Sequence, residues 1–166
     1  MNAGGCLMIG EGRSGSPTII HQIHMPRFVL LYHDWPSHDE RPSHCDLMLE
    51  AGGVLRTWSL TLLPRDWAGT TESAVAPEFA ATNTVPAEQL ADHRLEYLDY
   101  EGPVSGDRGS VRRLDAGTFA SRHESPDCWE VTLDGRAIRG DVSLQRKSSA
   151  ETQWQLGYQS SQTVKE

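Results

Sequence analysis

Residues 28–63 read FVLLYHDWPSHDERPSHCDLMLEAGGVLRTWSLTLL. The stretch opens on a continuous apolar run, Phe28–Tyr32, of the kind that a buried β-strand leaves in a sequence. Asp34–Ser43, with two prolines and five charged or histidine residues, is a loop. His44–Glu50 then alternates, with His44, Asp46, Met48 and Glu50 on one side and Cys45, Leu47 and Leu49 on the other. Strand side chains alternate with a period of two, so the apolar set suits a core and the polar set a cleft. Ala51-Gly52-Gly53 is hairpin chemistry, because glycine accepts the positive φ of a tight turn, and Val54–Leu63 returns as the partner strand.

Strand signals continue downstream. Residues 64–86 form a long connection rich in Pro, Ala, Thr and Glu, and Pro86–Ala91 reads as one helical turn. Arg94–Tyr100 resumes a strand pattern, Gly102–Gly109 is a loop and Ser110–Leu114 another strand. Val131–Ile138 reads as a hairpin turning at Asp134-Gly135, and Ser143–Arg146 pairs with Trp154–Tyr158. Short strands with little helical periodicity predict a mainly β chain, a small antiparallel β-barrel with short helical pieces. One domain over 25–158 is expected, after a disordered leader over 1–24 and before a polar tail over 159–166. Met25, just before the first strand, is a candidate translation start.

Composition narrows the function classes. A formal net charge of −8 over 166 residues argues against a protein that coats nucleic acid, whose affinity rests on neutralising phosphates. It leaves room for an enzyme that holds a single strand end. No apolar stretch approaches the roughly 20 residues of a membrane span, and no basic, apolar secretory start is present. Three widely spaced cysteines, Cys6, Cys45 and Cys128, form no C-x-x-C pair, and a reducing cytoplasm is the default compartment.

The chemistry concentrates in the histidines. His44 and Asp46 share a strand face, and His33 ends the preceding strand beside them. Two imidazoles and a carboxylate converging on one point make a facial metal site with open positions, able to activate water or polarise a phosphate. Alone, an H-x-D pair on a strand is more often a hydrogen-bonded structural pair. His21, His24, His38 and His123 read as solvated. His93 lies in DHRLEY, where a strand would put it on one face with Tyr97, so that ring and phenol reach one anion together.

These blocks taken together resemble the 3′-phosphoesterase domain found at the N-terminus of bacterial DNA ligase D. The resemblance rests on F-V-x-x-x-H-D at 28–34, H-x-D-x-x-L-E at 44–50, G-V-L-R-T-W-S at 53–59, D-H-R-L-E-Y-x-D-Y-E-G at 92–102, D-A-G-T-F at 115–119 and L-D-G-R-A-I-R-G-D-V-S-L-Q-R at 133–146. It implies a metal-dependent β-barrel, usually with manganese, that trims a ribonucleoside or phosphate from nucleic-acid 3′ ends during DNA end repair. It also implies His33, His44 and Asp46 as metal ligands and His93 with Tyr97 as the phosphate-contacting pair. A separately encoded DNA ligase or polymerase is the partner class that it suggests. Met48 stands where the family carries an arginine that grips phosphate. Arg41 and Arg56 are the candidate substitutes by position. The alternative is a non-catalytic metal-binding barrel that recognises nucleic-acid ends or a repair partner.

Overall fold

Apolar residues on both faces of one strand require cover on both sides, and the continuous run at the start of the chain finds it. In the computed structural model, which describes residues 24–69, 77–148 and 151–161, strand β1 (Arg27–Asp34) has its residues 28–33 buried. Phe28, Leu30 and Tyr32 enter the main core, whereas Val29 and Leu31 face a second, smaller apolar cluster.

The strands that follow are β2 (His44–Ala51), β3 (Val54–Leu60), β4 (Leu62–Leu63), β5 (Glu78–Phe79), β6 (Thr84–His93), β7 (Gly102–Pro103), β8 (Ser110–Ser125), β9 (Cys128–Gly135), β10 (Arg139–Arg146) and β11 (Gln153–Ser160). Eight of them close an antiparallel barrel in the order β1-β2-β3-β6-β11-β10-β9-β8, with β8 returning to pair with β1. Closure removes the unpaired edges that would otherwise invite further strands. Side chains fill the interior: Trp58 meets Trp154 edge-on at 5.6 Å, and Phe119 meets Trp129 likewise at 5.8 Å. Cys45, Leu47 and Leu49 turn into this core. The β2–β3 hairpin closes through Gly52 and Gly53, with φ of +61° and +86° as a two-residue primed turn requires.

The second cluster lies outside the barrel, where Val29, Leu31, Met48, Leu55 and Val111 are covered by Leu98 and Val104. Leu98 comes from a 3-10 turn, Leu95–Leu98, where the sequence suggested a strand over 94–100. Burial of Leu98 against the outer sheet face outweighs the alternation of Leu95 and Tyr97.

Other assignments also shift. Residues 86–91 belong to β6 rather than to a helical turn, because tertiary pairing overrides local propensity. Pro86 is tolerated there because the pairing with β3 begins only at Glu88. The chain breaks at Thr61 between β3 and β4, and β4 pairs in parallel with β5 inside the long connection. Ser110–Leu114 is only the start of the 16-residue β8.

The β9–β10 hairpin exists, but it turns at Arg136–Ile138, one step beyond Asp134-Gly135. The buried Asp115 carboxylate draws the turn there, accepting the backbone N–H groups of Arg136, Ala137 and Ile138. Gly135 is obligatory beside it, since a Cβ would stand 2.3 Å from Asp115 Oδ2. Residues 1–23 of the expected leader and 162–166 of the expected tail lie outside the described residues, and His24 is exposed, bonded to Glu50. Gln159 and Ser160, assigned to the tail by sequence, end β11.

Candidate active site

Register assembles the candidate metal-ligating group. His33 on β1 is directly opposite His44 on β2, and Asp46 is opposite Leu31. All three side chains project from the outer face of the barrel, away from the Cys45–Leu47–Leu49 core. Their ligating atoms lie within 4.8 Å of one another. His33 Nδ1 is 3.7 Å from Asp46 Oδ2, and His44 Nε2 is 3.4 Å from Asp46 Oδ1. Neighbouring ligands on one ion stand roughly 2.8–3.6 Å apart for bonds of about 2.0–2.2 Å, and the two His–Asp separations are already near that range.

Backbone carbonyls fix which ring nitrogen is available. His33 Nε2 is 2.6 Å from the Arg108 carbonyl, and His44 Nδ1 is 3.0 Å from the Pro42 carbonyl. A carbonyl only accepts, so each of these nitrogens carries the hydrogen. The remaining nitrogens, His33 Nδ1 and His44 Nε2, turn towards Asp46. Metal-binding histidines commonly have their second N–H anchored in this way. Asp46 Oδ1 is buried and makes no hydrogen bond of good geometry among the described residues. Two ring nitrogens with free lone pairs converging on a carboxylate that has one orphaned buried oxygen fit a divalent cation.

Electrostatics agree with the geometry. Burial alone would raise the Asp46 carboxyl, but the His33 and His44 imidazoles prevail and hold it below the ordinary range. Burial opposes charge on His44, yet Asp46 overcomes it and raises the imidazole pKa. A metal ion held here would compete with a proton for the same His44 lone pair. Cys45 takes no part, because burial pushes its thiol up to about 12.

The group sits in a cleft of about 490 Å³ that is also lined by Trp35, Arg41, Ser59, Glu88, His93 and Arg108. A second cavity of about 420 Å³ shares Ser59, Thr61 and Glu88 with it and extends to Lys147. His93 reaches the cleft through a β-bulge. Thr57 pairs with Leu90 but Leu55 with His93, so β6 carries one extra residue. That residue reverses the facing, bringing His93 to the side of Glu88 and Leu90. His93 Nδ1 is 2.9 Å from the Ala91 carbonyl and so carries the hydrogen, leaving Nε2 for chemistry. Tyr97, on the 3-10 turn, stacks edge-on against His93 at 5.6 Å and lines a neighbouring pocket of about 190 Å³.

The other sequence candidates separate. Arg41 lines the cleft. Arg56 points to the opposite face, stacked on Trp58 and Trp129 and paired with Glu124 at 3.0 Å, and does not line the cleft. Met48 shares the strand face of His44 and Asp46 but is only 1% exposed, packed in the outer apolar cluster below the cleft. Arg108, Trp35 and Glu88 were missed. Only the facing of Glu88 and Leu90 across a correctly placed β6 would have revealed one of them.

Residues 36–146 match the family model described as the DNA ligase D 3′-phosphoesterase domain. The chain belongs to this family. No individual curated protein gives a significant match. The matched span contains His44, Asp46, His93 and Tyr97 and begins just after His33, so the structure independently brings His33 to the group. As a member of the 3′-phosphoesterase domain family, the chain has a nucleic-acid end-processing ancestry and a His-His-Asp group able to hold a metal ion. No helix among the described residues is long and apolar enough to cross a membrane.

Proposed function

We propose that this protein is a metal-dependent phosphoesterase acting on nucleic-acid 3′ ends, where it removes a terminal phosphate or ribonucleoside ahead of joining or extension by a separate ligase or polymerase. One observation carries the proposal: His33 Nδ1, His44 Nε2 and Asp46 converge in the same cleft as the free Nε2 of His93. His33, His44 and Asp46 would hold the ion, with manganese the choice that family membership favours. A bound divalent ion supplies Lewis acidity at the phosphoryl oxygens and lowers the pKa of a bound water. His93 Nε2 takes the proton from an attacking water, or in its protonated form delivers one to the departing oxygen. Tyr97 positions the His93 ring through its edge-on contact. The adjoining cavity towards Lys147 gives room for a strand beyond the reacting phosphate.

A second reading, a binding module without turnover, draws on Met48, which leaves the floor of the cleft without a cation. The deciding test is manganese-dependent release of phosphate from a 3′-phosphorylated oligonucleotide, with Asp46→Asn as the metal-site control. Turnover in the wild type that vanishes in the control supports the enzyme. Metal-dependent binding of the oligonucleotide without turnover would establish the module.

A further inference from the structure

Two arginines from different loops line the cleft that holds the His-His-Asp group, and they are held quite differently from Arg56. Arg41 lies on the loop between β1 and β2, its guanidinium 5.1 Å from the centroid of the Trp35 ring. Among the described residues that guanidinium makes no hydrogen bond or ion pair. Among the described residues Arg41 hydrogen-bonds through its backbone N–H alone, to Asp39 Oδ1. Trp35 is in turn fixed: its ring lies 4.7 Å from His33 and 6.2 Å from His44, and its backbone N–H donates to Ser43 Oγ. A charged group on a long side chain is thus rested on a ring anchored to the metal ligands.

Arg108 stands on the loop between β7 and β8. Its Nε and one terminal nitrogen donate to the Ser105 carbonyl and hydroxyl, which orients the guanidinium and leaves the other terminal nitrogen without a partner among the described residues. The same residue's carbonyl accepts from His33. The two loops approach each other where His38 Nε2 lies 3.4 Å from Asp107 Oδ2. Both arginines border one cavity with His44, Asp46 and His93.

We infer that Arg41, supported on Trp35, and Arg108 on the second loop form an anion clamp lining the cleft, which seats a chain-terminal phosphate and disfavours an internal phosphodiester. This deepens the phosphoesterase reading and rests on it. A guanidinium presents a planar fork that matches phosphate oxygens, and stacking on an indole holds that plane at little entropic cost. A terminal phosphate carries up to two negative charges against one for a diester, so it gains more from a pair of cations.

The test measures three affinities by calorimetry on wild-type, Arg41→Ala, Arg41→Lys, Arg108→Ala and Trp35→Phe proteins. The probes are manganese alone, inorganic phosphate added to the manganese-loaded protein, and single-stranded oligonucleotides ending in a 3′-phosphate or a 3′-hydroxyl. Arg41→Ala and Arg108→Ala are each expected to weaken phosphate and the 3′-phosphorylated strand by about tenfold to a hundredfold, the loss of one charge-assisted hydrogen-bonding group. Manganese affinity should stay within about twofold, since neither side chain is a ligand. Arg41→Lys should recover little, because an ammonium offers no fork, and Trp35→Phe should keep most of the affinity because a ring remains. Both alanine variants binding within twofold of wild type would overturn the clamp, as would a wild type that binds neither phosphate probe. Arginine-dependent binding of inorganic phosphate with no preference for the 3′-phosphorylated strand would overturn the clamp as a terminal-phosphate seat, whereas arginine-dependent preference for that strand with no turnover would leave the clamp standing and remove the phosphoesterase reading.

Discussion

Asp46 carries the largest load of any single side chain at the site. It is 2% exposed, lies between two imidazoles and is held ionised against the pull of burial. Asp46→Asn preserves its volume while removing the charge. Manganese affinity in calorimetry should fall by roughly a hundredfold or more, beyond the 10–100-fold typical of changes in groups that only support a ligand. His93→Ala makes the contrasting case, since that ring reaches the cleft from another strand. Turnover should drop about 10²–10⁴-fold with manganese binding kept within twofold, and joint loss of metal would instead make His93 a ligand. Met48 shows how facing and exposure differ. The alternation correctly puts it on the His44 and Asp46 face, yet Val29, Leu31 and Leu55 enclose it there. Met48→Arg should therefore lower the melting temperature without strengthening phosphate binding, because an uncompensated charge would enter an apolar cluster.

At the scale of elements, the site depends on irregularities that no periodic pattern reveals. The extra residue in β6 and the 3-10 turn after it set His93 and Tyr97, whereas the sequence reached their proximity through a straight strand that does not exist. The β1–β2 and β2–β3 pairings were legible because an apolar run, an alternation and a Gly-Gly turn each specify register locally. The loop at 104–109 was legible only as a loop, and its contribution hangs on Gly109. That residue has a φ of +77°, and a Cβ on it would come within 1.9 Å of the Asp34 carbonyl oxygen. Gly109→Ala should push the loop off β1 and draw the Arg108 carbonyl away from His33 Nε2. The expected result is a 10–100-fold loss of manganese affinity, as for other groups that orient a ligand. Gly157→Ala, in open space on an extended strand, is the control and should leave affinity unchanged. Equal behaviour of the two variants would show that the Arg108 carbonyl does not orient His33.

For the whole molecule, the barrel divides packing from chemistry. Tryptophans and aliphatic side chains fill its interior, and the cleft lies entirely on its outer face. That division explains why the β-rich architecture could be read from strand and turn signals, while Arg108 and Trp35 could not be assigned to the site. Barrel closure is a long-range event that brings together loops far apart in sequence, such as those holding His38 and Asp107. Asp115 tests the division from the packing side. It sits on the β1–β8 seam opposite Leu30, 4% exposed, and accepts three backbone N–H groups of the β9–β10 turn. Replacing it with alanine leaves those donors without their acceptor, that of Ile138 in a buried position, and opens a void. A loss of about 2–4 kcal/mol follows, read as a fall of roughly 5–15 °C in Tm. Asp115→Asn, which keeps one accepting oxygen and the volume, should lose less. Neither Asp115 nor the turn lines the cleft, so manganese affinity measured well below the melting transition should match wild type within twofold. A metal affinity that fell in step with Tm would mean that the outer face is not independent of closure, and that the seam helps to hold His33 in place.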